Sequence, residues 1–418
     1  MDTGKAGRPS LMRAINDRAA LDLLLRHGRL SRGQIGTLTG LSKPTASLLL
    51  ARLEQAGLVI AVGTDDDGRP GPAARLYEIN PAAAHVAGLD ITPSRIDVAV
   101  ADLAGRVIAE HRLATPRRSP ARVPERVREA VATAAARAGL APEDLTHVVL
   151  GLPGAFDPGT GRFRYARHLP GWHAPGVLDA IRESLSATVD VENDVNLAAL
   201  AEQRAGAALD AEDFVLLWVD EGIGCAIVLG GRLHRGFTGG AGEVGYMPLP
   251  GAPVTRNIGR SNTGGFQQLA GAPAVLALAR AHGIEGRGAD AAVARAVAHV
   301  EADRPDGTDL PDPTERPERA CEAGESARAC AFLDELATRL AVGLASIVAV
   351  LDPALVVLSG AIPLRGGPQL LSRVTDQLHG LAIPRPRLVL GEVPGNPVLS
   401  GAVHAALDVA RDSVFTTL

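Results

Sequence analysis

The sequence predicts an α/β body preceded by a small α+β winged helix-turn-helix domain. Three patterns carry that prediction. Helical periodicity over residues 11–53 is interrupted by stops at Gly28, Gly40 and Gly57. Residues 58–79 read as two strands flanking a loop rich in Gly, Asp and Pro. From residue 86 onward, short apolar strand-like runs alternate with longer amphipathic stretches, which favours layered α/β architecture.

The head elements follow in order. Leu11, Ile15, Ala19, Leu21, Leu24 and Leu25 predict a first helix over 11–27, stopped at Gly28. Ser31 with Gln34 three residues later is a capping box, opening a short helix through Ile35 and Leu38 that ends at Gly40. Ser42 caps a third helix, with Pro44 tolerated in its first turn. Ala46, Leu50 and Leu53 give that helix one buried stripe. The helix–turn–helix spacing makes the third helix the reader of a DNA major groove, with Ser42, Lys43, Thr45, Ser47 and Arg52 as candidate contacts. Residues 58–62 and 75–79 pair around a wing, where Arg69 is placed to reach a minor groove or a phosphate. Asp65, Asp66 and Asp67 repel DNA and are expected to face solvent. The alternative is a three-helix packing module with no nucleic-acid role.

Charge favours the first reading. Residues 1–60 hold nine Lys and Arg against four Asp and Glu, a balance of +5, whereas the remainder carries −10. A basic head on an acidic body suggests a polyanionic partner for the head. The chain has 418 residues, 46% hydrophobic and 21% charged, which excludes wholesale disorder and a fibrous fold. No run approaches the ~18–20 apolar residues of a membrane helix, and residues 1–10 lack an apolar signal core, so a cytoplasmic protein is expected. Cys225, Cys321 and Cys330 form no CxxC, and three cysteines argue against a disulfide framework.

In the body, residues 86–89, 95–101 and 106–110 read as strands, with a turn at 102–105, and 123–138 as a long helix. Residues 147–152 and 355–358 read as buried strands and 332–350 as a strongly apolar helix, while 301–324 is the best internal loop candidate. Several stretches resemble the ROK family (repressors, open reading frames, kinases): Gly88-Leu89-Asp90-Ile91, Gly151-Leu152-Pro153-Gly154, Leu169-Pro170-Gly171-Trp172, Val191-Glu192-Asn193-Asp194-Val195-Asn196, Gly240-Ala241-Gly242-Glu243-Val244-Gly245, and Asp352-Pro353 leading to Leu358-Ser359-Gly360. Each is weak alone; their order and separation are not. The resemblance implies a two-lobed, actin-like ATPase body with a cleft between its lobes, and self-association as a homodimer or homotetramer. Boundaries follow at 1–80 for the winged domain, 86–198 for the first lobe and 199–418 for the second, with the C-terminal helix packing back on the first lobe.

By resemblance, Asp194 stands at the family's general-base position, and Asn193 and Glu243 at sugar-contacting positions. Gln267 stands where the family has a sugar-contacting Glu and His168 where its sugar-binding branch has Asn, while Tyr246 replaces the histidine of the family's zinc element; all three are carried as effector-pocket candidates. The plainer readings are Asp194 as a helix N-cap, Glu243 as a paired surface acid and the glycines as turns without a ligand. The phosphate turns depart from the family. Its Asp-x-Gly-Gly-Thr is here Asp90-Ile91-Thr92-Pro93-Ser94, which loses both glycines and gains a proline with no N–H to offer. Its Gly-Thr-Gly-Ile-Gly is here Asp220-Glu221-Gly222-Ile223-Gly224, whose carboxylates would each repel a phosphate charge at ~4 Å by roughly 4 kcal/mol. The family's zinc run has no cysteine or histidine over 257–267, so no metal and no cofactor are expected.

The resulting expectation is not an enzyme. It is a DNA-binding transcriptional regulator, a repressor, that binds operator double-stranded DNA through its head. Its degenerate kinase-like body dimerises and takes a sugar or sugar-derivative effector, with no membrane partner. Two alternatives stay open: a regulator whose cleft holds no ligand, and an ATP-dependent sugar kinase with an accessory head.

Overall fold

The computed structural model describes residues 9–65, 74–115, 122–157, 159–160, 162–164, 169, 171–172, 174–256, 264–303 and 324–416. The head is built as its local signals dictate. Helix α1 (Pro9–His27) is followed by strand β1 (Leu30–Ser31), α2 (Arg32–Thr39) and α3 (Lys43–Gln55). The capping box is present: Ser31 Oγ accepts from Gln34 N, while Gln34 Oε1 accepts from Ser31 N at 2.7 Å. Gly40 closes α2 in the left-handed region (φ 70°), where a Cβ would be strained. Strands β2 (Val59–Asp65) and β3 (Ala74–Ile79) form the wing hairpin, and β1 adds to β3 in the order β1-β3-β2.

The next strands are β4 (His85–Ile91), β5 (Arg95–Asp102) and β6 (Val107–Ala114), then helix α4 (Val123–Arg137) and β7 (Leu145–Leu152). A hairpin follows, β8 (Ala155–Asp157) with β9 (Arg162–Arg164), then α5 (Val177–Ser184), β10 (Thr188–Asn193) and α6 (Asp194–Ala205). Strands β11 (Phe214–Val219), β12 (Ile223–Leu229) and β13 (Arg232–Leu233) lead to helices α7 (Gly265–Ala270), α8 (Ala272–Ala281), α9 (Ala289–Ala302) and α10 (Glu325–Leu351). The chain ends through β14 (Leu355–Ser359), α11 (Ala361–Leu381), β15 (Arg387–Leu390) and α12 (Pro397–Thr416). The apolar helix expected over 332–350 begins seven residues earlier, at Glu325. Most of the loop expected over 301–324 lies outside the described residues.

Two five-stranded sheets share one topology. Their orders are β10-β7-β4-β5-β6 and β15-β14-β11-β12-β13. In each, the central strand, β4 or β11, is antiparallel to the strand that follows it in the chain, β5 or β12, and parallel to its other neighbour, β7 or β14. The body is thus a repeated sheet plan that the sequence did not reveal as a repeat.

The chain divides into two compact units. One holds residues 1–152, 169–192 and 399–418; the other holds 153–168 and 193–398. In the first unit, head and body share a core: Ala20, Leu21, Leu24, Ile35, Leu50, Leu53, Leu58 and Ile79 cluster with Ala84, Leu103 and Phe415. Helix α12 lies close on β4, where a Cβ at Gly88 would stand 2.5 Å from Val403 N. Arg411 on α12 donates to Leu103 O at 2.9 Å. In the second unit, α10 buries Phe332, Leu336, Leu340 and Leu344 against β11, β14 and the faces of α8, α9 and α11. Cys225 is free and buried, and Cys330 is disulfide-bonded.

Candidate nucleic-acid interface and effector site

On α3, Ala46, Leu49, Leu50 and Leu53 face the core, and Ser42, Lys43 and Thr45 are exposed. Ser42 is the N-cap: its Oγ accepts from Thr45 N at 3.4 Å and lies 2.8 Å from Thr45 Oγ1. Ser47 Oγ donates to Lys43 O at 2.8 Å and accepts from Arg32 Nη1 at 3.2 Å. Arg52 is occupied differently. Its guanidinium makes a two-pronged pair with Asp17 of α1, whose side chain is only 4% exposed. That pair braces α3 against α1. Arg69 lies outside the described residues.

Most head arginines are neutralised in the same way. Arg18 pairs with Asp22 and Asp412, Arg29 with Glu78, and Arg75 with Glu54. Arg32 and Lys43 are not paired with a carboxylate among the described residues. Both occupy the first helical position, Arg32 on α2 and Lys43 on α3, and neither first turn contains an acid. A cation there opposes the helix dipole, and the combined positive potential suits an anion. Arg32 was missed in the sequence because its capping box drew attention to the neighbours on either side. The available signal was a cation where helices favour an acid.

The effector candidates described all lie in the second unit. Asn193, not Asp194, is the N-cap of α6: its Oδ1 accepts from Asn196 N at 3.1 Å and its Nδ2 donates to Gly154 O at 3.0 Å. Asp194 begins the helix, and its Oδ1 accepts from Val195 N at 2.8 Å. The start of α6 is seated on β12 because Gly224 has no side chain; a Cβ there would meet Val195 Cγ2 at 2.7 Å. The loop carrying Glu243 is pinned to β12 by Cys225 N donating to Gly242 O at 3.0 Å. Glu243 is half-buried. Burial first, and the Asp194 charge second, push its carboxyl up to about 7. Tyr246 closes the short helical turn Val244–Tyr246 and is also half-buried. Gln267 on α7 spans the β11–β12 turn: Oε1 accepts from Ile223 N at 2.7 Å, and Nε2 donates to Glu221 O at 3.0 Å. His168 lies outside the described residues.

Both turns that would cradle phosphates engage some of their own N–H groups. In the first, Thr92 N donates to Arg95 O and Arg95 N to Thr92 Oγ1, with Pro93 between them. Asp90 there is 3.5 Å from Arg95 Nη2. In the second, Asp220 N donates to Gly222 O, and Ile223 N is held by Gln267. Burial raises the Asp220 carboxyl, while the N–H groups of Glu221 and Ala361 counter that shift. Among the described residues, no group of three or more His, Cys, Asp or Glu is placed to hold a metal ion, and no helix is long and apolar enough to cross a membrane.

The ROK family model matches residues 86–382. The chain belongs to the ROK family. A MarR family model matches residues 15–70, the winged-helix head. The N-acetylglucosamine repressor of Escherichia coli O6:H1 is 26% identical over 272 residues, 64% of this chain and 65% of that repressor. The match thus spans less than two thirds of that relative's length. Among solved structures, a ROK family transcriptional regulator described as a homologue of the E. coli MLC protein superposes with a TM-score of 0.70, at 20% identity, covering 97% of this chain and 98% of the other. A ROK hexokinase from Thermus thermophilus superposes with a TM-score of 0.60, at 27% identity, covering 78% of this chain and 99% of the other. The actin-like kinase fold of the ROK body and the winged helix ahead of it are therefore both established.

Proposed function

We propose that this ROK protein is a DNA-binding transcriptional regulator of repressor type, and not an enzyme. The observation that carries the reading is the head. It is a winged helix in which, among the described residues, Arg32 and Lys43 at two successive helix starts have no carboxylate partner, as Arg26 at the end of α1 has none, while Arg18, Arg29, Arg52 and Arg75 are paired internally. Two helix N-termini, each with a cation, suit two phosphates of a duplex backbone, with Ser42, Thr45 and Ser47 beside them and Arg69 from the wing. A second copy would supply the second half-site, as a homodimer or homotetramer. Residues 1–80 form the DNA-binding domain; of the lobes expected at 86–198 and 199–418, the compact units assign 153–168 and 193–198 to the second and 399–418 to the first; a DNA target implies the cytoplasm. The sugar named for the matched repressor, and the hexokinase chemistry of the same fold, support a sugar-like effector at Asn193, Asp194, Glu243, Tyr246 and Gln267, with His168 as a further candidate from the sequence.

The N–H groups already engaged in both phosphate turns support the absence of kinase activity, since a triphosphate bound there would have to displace those bonds. The test is binding to duplexes selected from a random pool, measured across salt. Affinity must fall as salt rises, and Arg32→Ala and Lys43→Ala must each weaken binding to all sequences alike and flatten the log–log slope by about 1. Salt-independent affinity would remove the reading.

A kinase reading is favoured by one observation: Asp194 and Glu243 remain within electrostatic reach of each other. Hexose-dependent ADP release that vanishes in Asp194→Asn would establish it. A ligand-free scaffold is favoured by Asn193 and Gln267, whose side chains are engaged with backbone. Specific thermal stabilisation by a sugar would exclude it.

A further inference from the structure

The outward ridge of α3 has an uncommon chemistry for a surface that meets nucleic acid. Opposite the core stripe it presents Thr45, Leu48, Ala51 and Gln55, all exposed, and Leu48 is 71% exposed. These positions recur at intervals of three and four, so they share one helix face. The ridge carries no charge, and over its first two turns it carries no amide or guanidinium. The Thr45 hydroxyl is engaged with Ser42 Oγ. Arg32 and Lys43 flank its leading end, and neither pairs with a carboxylate among the described residues.

A helix in the major groove reads bases in two ways. Guanidinium and amide groups pair bidentately with guanine or adenine edges, and apolar groups contact the 5-methyl of thymine. The leading two turns of this ridge are equipped for the second way only. An isolated exposed leucine needs no explanation. This one lies on the outward face of the helix proposed to read the duplex, whose start carries Lys43 and whose Ser47 is bonded by Arg32.

We propose that Leu48 is a specificity-determining residue that packs against the 5-methyl group of a thymine in each operator half-site, so that α3 reads methyl groups rather than hydrogen-bonding edges. This rests on the DNA-binding reading above. The occupant of the ridge is duplex DNA; a protein partner on the same face would appear as indifference to base methylation.

The probe is the duplex enriched from a random pool by the full-length protein, with each thymine of a half-site replaced singly by deoxyuridine, which deletes only the methyl. At least one replacement should weaken wild-type binding about fourfold, the worth of burying one methyl group. Leu48→Ala should weaken binding to the thymine duplex by a similar factor and lose nothing further on the uridine duplex. Leu48→Met, which keeps an apolar tip, should retain the preference for thymine. Leu48 is exposed and alanine favours helix, so the alanine variant keeps the fold. Wild-type indifference to every uridine, or full uridine sensitivity in Leu48→Ala, overturns the inference while leaving salt-dependent DNA binding intact. Failure to enrich any duplex overturns the DNA-binding reading and this inference together.

Discussion

At the scale of single residues, Glu243 offers the sharpest solution test. Its carboxyl is raised to about 7 by burial and by the charge of Asp194. In the unfolded chain it would titrate near the ordinary carboxylate value, so between about pH 4.5 and 7 the folded state binds the extra proton. Stability contributed by this group is therefore lost as pH rises through that window, by ~3 kcal/mol at most, and the loss is complete above pH 7. Glu243→Gln should flatten a urea-unfolding profile over that range and be more stable than wild type at pH 8; a variant that tracks the wild-type profile would show that another group governs it. Sequence reading found Glu243 through a local motif but could not supply its environment. It found Asn193 and Asp194 together yet left the cap to Asp194, because either residue type caps a helix and only the backbone bend decides which one does.

At the scale of elements, the pair of Arg52 with Asp17 shows why a correct helix can carry an unexpected side-chain role. The periodicity of α3 located its core stripe, but the partner of Arg52 lies thirty-five residues earlier, on a helix whose relation to α3 is tertiary. Asp17 is buried, so removing its cation leaves a charge without compensation. Arg52→Ala should destabilise the head by about 2 kcal/mol, reduced from the fully buried case because Arg52 is partly exposed. Equilibrium denaturation followed by a head-specific probe measures this, and Asp17→Asn combined with Arg52→Ala should recover part of the loss. Unaltered head stability with lost DNA affinity would instead place Arg52 on the duplex. Other elements were fully legible: the Ser31–Gln34 capping box and the Gly40 stop involve residues within a turn of each other, and the structure has both.

At the scale of the whole molecule, α12 is the element that ties distant sequence together. Within the first compact unit it ends with Phe415 buried in the core shared with the head, while Arg18 of α1 bonds Asp412 and stacks over the Phe415 ring. Phe415→Ala should destabilise the head by about 3 kcal/mol through the cavity it leaves. Limited proteolysis of the variant should cut the head earlier than in wild type; unchanged kinetics would show that the head holds itself together without α12. This link joins residues almost four hundred positions apart. No window of sequence contains it.

The sequence by itself determined the head's helices and their caps, the body's leading strands and the family motifs, because each depends on contacts within a few residues or on a spaced signature. It also located the departures in both phosphate turns. The tertiary structure decided which arginines are already neutralised, that Gln267 spans the β11–β12 turn, and that two sheets repeat one topology. The physical reason is range. Propensity and capping act along the chain, whereas ion pairing, burial and strand order depend on what distant segments bring to the same place.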